Sequence, residues 1–87
     1  MIEIWTVSYR SHDASDETIS VYAYPSGGVG ITGTDPGLVV SLGGTRELVG
    51  GISPDESVTV AQRLTDMVRH LTGGDIESYR QLDTTDV

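Results

Sequence analysis

The chain begins with two stretches in which apolar and polar residues alternate, which is the period of a β-strand. The first is IEIWTVSYR at 2–10 and the second is TISVYAY at 18–24, with the polar loop SHDASDE at 11–17 between them. Both stretches are rich in β-branched and aromatic residues, which favour strands. The pattern predicts two antiparallel strands joined by a turn-forming loop.

Glycines and one proline punctuate the next part, PSGGVGITGTDPGLVVSL at 25–42. Apolar residues alternate with small ones, and Asp35-Pro36-Gly37 is typical of a turn. We predict strands at about 28–34 and 37–42, paired antiparallel with no helix between them. The segment TRELV at 45–49 is predicted to be a short strand or edge segment.

A helix is predicted to begin after Ser53, because Ser53 suits the N-cap, Pro54 the first helical position and Glu56 the third position of a capping box. One apolar stripe follows at helical spacing. Its members are Val60, Leu64, Met67, Val68 and Leu71. The pair Gly73-Gly74 is predicted to end the helix. Asp75 is placed to cap a short second helix through about Leu82.

These elements predict one α+β domain over 1–82, followed by a frayed acidic tail at 83–87. The expected architecture is an antiparallel meander of four to five strands, followed by one amphipathic helix, about 54–72, packed on one sheet face.

The first two strands carry apolar residues on both faces, and one helix covers only one face. In the first strand, Ile2 and Ile4 lie on one face, and Trp5, Val7 and Tyr9 lie on the other. In the second strand, Ile19, Val21 and Ala23 lie opposite to Tyr22 and Tyr24. We expect a second cover, either the C-terminal segment through Ile76, Tyr79 and Leu82 or another copy of the chain. The residues predicted for such an interface are Trp5, Val7, Tyr9, Tyr22 and Tyr24, because aromatic side chains make good anchors.

The charge balance is acidic, with 13 Asp and Glu against 5 Arg and a net charge of −8. This charge disfavours direct binding to nucleic acid or an anionic membrane, and it favours a basic protein partner. The chain has no Cys, which excludes disulfides, thiolate nucleophiles and Cys-based zinc sites. No apolar run suits a membrane span and the N-terminus is unlike a signal peptide, so a cytoplasmic location is expected.

The spacing Gly28-x-Gly30-x-x-Gly33 matches that of a dinucleotide-binding loop. Such a loop needs a helix directly after it, whereas the predicted turn at 35–37 follows here. We interpret the glycines as shaping a hairpin, and no cofactor and no catalytic residue is predicted.

The loop at 11–17 brings imidazole and carboxylate groups together, which suits Zn, Mn or Mg. The candidate ligands are His12, Asp13, Asp16 and Glu17. The alternative interpretation is a solvated acidic loop whose Asp and Ser residues form turns.

The segment Ile52-Ser53-Pro54-Asp55-Glu56 and the helix after it resemble small uncharacterised actinobacterial and actinophage proteins that end a small sheet in this way. The helix here departs from that pattern in having few alanines. The resemblance implies a regulatory or phage accessory role and carries over no functional residues. The absence of Lys, Asn and Phe indicates a GC-rich genome, and a halophilic origin stays open beside an actinobacterial or phage one.

The sequence thus favours a non-enzymatic protein-interaction module that forms a homodimer. A sharper version is an inhibitor of a basic nucleic-acid-binding protein, which requires the acidic residues to gather on one surface. The candidates are Asp13, Asp16, Glu17, Asp75, Glu77, Asp83 and Asp86. The alternative is a small-molecule or divalent-metal-binding domain.

Overall fold

The computed structural model describes residues 1–43 and 52–83. The described elements are β1 (Ile2–Arg10), β2 (Asp16–Ala23), β3 (Val29–Gly33), α1 (Pro36–Ser41), α2 (Pro54–Thr72) and β4 (Asp75–Leu82). The sheet has the order β3-β2-β1-β4, and all neighbouring strands are antiparallel. The α+β class and the helix at 54–72 are confirmed, with four strands. The predicted strand at 45–49 and the tail beyond Asp83 lie outside the described residues.

The predicted strand at 37–42 is wrong, because α1 occupies this segment. Asp35 begins the helix, since its Oδ1 accepts a hydrogen bond from the backbone N–H of Leu38 at 3.2 Å, and Pro36 takes the first turn. The side chains that pack on the core follow a helical period: Leu38, Val39 and Leu42. The residues Asp35-Pro36-Gly37, predicted as a turn, therefore start a helix, and no described strand follows β3 as a hairpin partner.

The predicted short C-terminal helix is also wrong, because β4 occupies this segment and pairs with β1. Gly73 ends α2 in the left-handed conformation, with φ 71°, as predicted. Gly74 lies so close to β1 that a Cβ would overlap the Ser8 carbonyl oxygen and lie 2.8 Å from the Tyr9 Cβ. The chain thus reaches the edge of β1, whose backbone groups need partners.

Both helices pack on the same face of the sheet. One core cluster contains Trp5, Val21, Ala23, Val29 and Ala61, and the other contains Val7, Ile19, Ile31, Val39 and Val68. The buried residues of α2 are Ser57, Ala61, Thr65 and Val68. The predicted apolar stripe is therefore only partly correct, because Met67 and Leu71 are 48% and 60% exposed. Small residues face the sheet and let α2 approach it closely.

The start of α2 lies at the predicted position, but the predicted capping hydrogen bonds are absent. Ser53 is the N-cap, as predicted, but its side chain makes no capping hydrogen bond, so the predicted capping box does not form. The Ser53 carbonyl accepts from the backbone N–H groups of Glu56 and Ser57 instead.

Candidate functional site

The sheet face opposite to the helices carries the strand residues that alternate with the core, and it is called the open face below because neither described helix packs on it. Neither core cluster includes a residue of this face. The register aligns its side chains in rows across the four strands. One row is Gly30, Tyr22, Ile4 and Arg80, and the next is Thr32, Ser20, Thr6 and Ser78.

One end of the open face is apolar and aromatic. Ile4 is 0% exposed although it belongs to neither core cluster, and its cross-strand neighbours are Tyr22 and Arg80. The rings of Tyr22 and Tyr24 stack with centroids 6.3 Å apart. Leu82, paired with Ile2, is exposed. The accessible part of this end, which is Leu82 and the partly exposed Tyr22 and Tyr24, is a candidate contact surface.

The rest of the open face is rich in hydroxyl groups, and the charges of the whole face balance. Thr6 and Ser20 are hydrogen-bonded through their hydroxyls at 2.9 Å. The charged side chains that the register places on this face are Arg10, Asp16, Asp75 and Arg80. Arg10 and Asp16 form an ion pair at 3.4 Å. Since the whole chain has a charge of −8, its negative charge lies on other surfaces.

The residues predicted as an interface do not form one surface. Trp5 and Val7 lie in the core beneath α2, where they are 7% and 0% exposed. Tyr9 is partly buried against the second cluster. Tyr22 and Tyr24 remain as the members outside both clusters. The neighbours that complete the open face, such as Thr6 and Ser20, were not predicted as interface residues. The only sequence signal for them is the strand alternation, which places them on the same face as Tyr22.

A second candidate site is a cleft at the turn between β1 and β2, called the hairpin cleft below. It lies between this turn, the start of α1 and the end of α2. It consists of two neighbouring cavities that share Ser11, His12 and Asp35. One is also lined by Asp13, Glu17, Thr34 and Pro36, and the other by Tyr9, Arg10, Leu38, Leu71 and Thr72. Three of the four predicted metal ligands therefore line one cleft, and Asp16 does not.

The carboxylates of the predicted metal ligands are directed toward protein donors. Asp13 accepts from the Ser11 hydroxyl and from the Ser15 backbone N–H, and these bonds hold the pKa of Asp13 below its usual value. Glu17 accepts from the Thr34 hydroxyl. Within 1–43 and 52–83, no group of three or more His, Asp or Glu side chains is arranged to hold a metal ion. These hydrogen bonds agree with the alternative interpretation, in which the Asp and Ser residues of the loop form turns.

Tyr9 and Asp35 connect β1 to α1 at the floor of the hairpin cleft. The Tyr9 hydroxyl donates to Asp35 Oδ2 at 2.7 Å, while Asp35 Oδ1 caps α1. Burial, then the hydrogen bond to Asp35 and the negative charges of Asp35 and Glu17, raise the pKa of Tyr9 well above its ordinary value. The contact therefore needs a protonated Tyr9.

Replacing Tyr9 with Phe is expected to lower the free energy of unfolding by about 0.5–1.5 kcal/mol, because Asp35 loses a donor in a partly buried place. The raised pKa gives a stability contribution that is present below about pH 10 and is lost as the pH rises toward the folded pKa, since the unfolded chain releases its proton first. Chemical denaturation from neutral pH to pH 11 measures both effects. The Tyr22→Phe variant is the control, and an equal loss in both variants would contradict the role of the Tyr9–Asp35 bond.

The glycine spacing at 28–33 does not form a phosphate cradle. Gly30 lies inside the antiparallel strand β3, and α1 is only six residues long. The carboxylate of Asp35 already occupies the start of α1, where a phosphate would have to approach. Gly33 serves packing, because a Cβ there would lie 2.5 Å from the Thr18 carbonyl oxygen.

The candidate acidic residues that the structure describes are spread over both ends of the sheet. Asp16 and Asp75 lie near the turn between β1 and β2, where they pair with Arg10 and Ser8. Asp83 follows Leu82, which pairs with Ile2 at the opposite end of β1. Asp86 lies outside the described residues. This separation gives no support to the inhibitor that presents one continuous acidic surface.

Neither helix in the described part of the chain has both the length and the apolar character required to cross a membrane. The comparisons with known proteins add no further constraint on the site. No protein-family model, no curated protein and no solved structure matches this chain.

Proposed function

We propose that the protein is a non-enzymatic interaction module that acts as a homodimer, in which two copies pack open face to open face about a two-fold axis. The observation that carries this proposal is the charge of the open face. Its two Arg and two Asp residues balance, although the chain as a whole is strongly acidic. Two copies therefore bring neutral surfaces together and keep their carboxylates apart.

The side chains of the open face suit sheet-on-sheet packing. A two-fold axis brings the same patch of both copies together, so the stacked Tyr22 and Tyr24 of one copy contact an equally apolar surface of the other. Tyrosine gives a large contact area at a low cost in conformational entropy and is enriched among interface anchors. The short hydroxyl side chains beside it, Thr6, Ser20 and Thr32, let two sheets approach.

A basic partner suits this face less well than a second copy does. Such a partner needs carboxylates at the contact, and Asp16 is already paired with Arg10. Asp75 lies at the far end of the face from Tyr22, beside Ser8. The dimer is consistent with a small regulatory or accessory protein that works through contacts rather than catalysis.

Light scattering and sedimentation over a dilution series test the homodimer. We expect twice the chain mass of 9.3 kDa at high concentration. Tyr22→Asp and Thr32→Arg place a charge on the open face, and each is expected to raise the dimer dissociation constant by about tenfold or more. Thr32→Arg keeps both aromatic rings of the face, so a loss of the dimer in this variant does not result from a lost aromatic contact. Circular dichroism checks that each variant remains folded.

Val40→Asp is the matched control, because Val40 is an exposed apolar residue of α1 on the helix side of the sheet. It should leave the dimer unchanged. A monomeric wild-type protein at all concentrations contradicts the proposal. Equal dissociation by Val40→Asp and Tyr22→Asp contradicts the assignment to the open face.

The alternative function, a metal or small-molecule site in the hairpin cleft, has a separate test. Thermal unfolding with Zn²⁺, Mn²⁺ or Mg²⁺ raises the melting temperature if the folded state binds the ion. A rise that disappears in His12→Ala would favour this alternative. No change with any of the three ions would remove the metal-binding version.

A further inference from the structure

The strand β4 forms one edge of the sheet and is the most exposed strand in the described part of the chain. Among the described strands it pairs only with β1. Each of its residues, from Asp75 to Leu82, is exposed. An edge strand presents unpaired backbone N–H and C=O groups, which can pair with another extended chain.

The side chains along this edge offer apolar contacts beside backbone groups with which no described strand pairs. Ile76 and Tyr79 pair with Val7 and Trp5, and they are 42% and 49% exposed. In known peptide complexes of this kind, the backbone provides the hydrogen bonds and alternate side chains occupy neighbouring sites. The edge thus has both elements that β-strand addition uses.

Tyr79 is held in position by its neighbours. Its ring lies 5.2 Å from the Trp5 ring, centroid to centroid. Its hydroxyl donates to Glu3 Oε1 at 2.6 Å and accepts from Gln81 Nε2 at 3.0 Å. A side chain that is already ordered loses less conformational entropy when a partner binds.

The charge of the edge selects the kind of partner. Asp75, Glu77 and Asp83 stand along this segment against one cation, Arg80. If the β4 strands of two copies paired, both would bring the same excess of negative charge to the contact, which opposes their association. A basic extended segment is complementary to the same surface.

We propose that β4 is a docking edge for an extended, basic segment of a partner protein, which adds a fifth strand to the sheet. Apolar side chains of this segment would alternate with Lys or Arg, so that one set contacts Ile76 and Tyr79 and the other set contacts the carboxylates. This site goes beyond the proposed homodimer, because it uses the edge of the sheet and leaves the open face for the second copy.

The probe is a synthetic eight-residue peptide of alternating Lys and Val, the length of β4, compared with a peptide of alternating Glu and Val. Fluorescence of Trp5, the single Trp of the chain, reports binding because Trp5 contacts Tyr79. Amide chemical shifts locate the peptide. We expect saturable binding of the Lys peptide, with shifts confined to β4 and its neighbours, and no binding of the Glu peptide.

Two charge-reversed variants test the position of the site. Glu77→Lys is expected to weaken binding of the Lys peptide about fivefold, the scale of one cross-strand charge pair. Glu56→Lys makes the same charge change in the first turn of α2, an exposed position away from this edge, and should leave binding nearly unchanged. Equal weakening by both variants, or equal binding of both peptides, overturns the proposal.

Two further results separate this proposal from the homodimer. Binding of the Lys peptide should persist in Thr32→Arg, whether or not that variant dissociates, because Thr32 lies on β3 at the other edge of the sheet. Protection of β4 amides from hydrogen exchange that rises with protein concentration, in the absence of peptide, would show a second copy on this edge. That result overturns the docking of a basic segment.

Discussion

Replacing Ala61 with Leu is expected to lower the free energy of unfolding by about 1–3 kcal/mol, because it forces extra volume into a filled core. Ala61 is 0% exposed on α2 and packs against Trp5, Val21 and Ala23. The larger side chain has to push α2 away from the sheet, which also loosens the contacts on either side. For a domain of this size, each kcal/mol lowers the melting temperature by about 4–8 °C. Thermal and urea denaturation measure the change.

Leu71→Ala is the matched control on the same helix. Leu71 belongs to the apolar stripe that the sequence predicts, but it is 60% exposed in the structure. Its truncation should therefore change stability by no more than about 0.5 kcal/mol. If Leu71→Ala lowers the free energy of unfolding more than Ala61→Leu does, the orientation of α2, with Ala61 toward the sheet and Leu71 toward solvent, is contradicted.

Replacing Gly33 with Ala should lower the free energy of unfolding by about 1–3 kcal/mol. The added Cβ would lie 2.5 Å from the Thr18 carbonyl oxygen and 2.6 Å from the Ile19 Cδ1. The first neighbour is backbone of the adjacent strand, so the clash cannot be relieved by rotating a side chain. We expect the end of β3 to separate from β2, with faster amide exchange there.

Gly37→Ala makes the same chemical change four residues later and is the control. Gly37 lies in α1, and its nearest neighbour to an added Cβ is Asp35 Oδ1 at 3.6 Å, an ordinary contact. This variant should be stabilised by about 0.4–1 kcal/mol, because Ala restricts the unfolded chain without strain in the folded one. A loss of stability in both variants would contradict α1.

The two proposed contact surfaces differ in the forces that they use. The open face is neutral and depends on burying Tyr22 and its neighbours, so salt should weaken the homodimer little. The edge at β4 depends partly on its carboxylates, so salt should weaken binding of a basic segment. The two surfaces can therefore be studied independently in one protein.

The candidate site was predictable from the sequence only in part. The period of two places Tyr22 and Tyr24 on the face opposite to Ile19 and Val21, as the structure has it. The same period places Trp5 on one face with Val7 and Tyr9, but it does not say which face the helix covers, so Trp5 was predicted as an interface residue and lies in the core. The row of Thr32, Ser20, Thr6 and Ser78 depends on the register of three strand pairs, which no local pattern determines.

The sequence by itself determined the elements that have strong local signals. The alternation over β1 and β2 is long enough to specify strands, and the bounds of α2 follow from Ser53, Pro54 and Gly73. Only the tertiary structure decided the segments at 36–41 and 75–82, neither of which has a clear period of apolar residues. Asp35 and the core beneath Val39 make the first a helix. The backbone of β1 makes the second a strand, because the N–H and C=O groups along its edge pair with those of the extended segment 75–82.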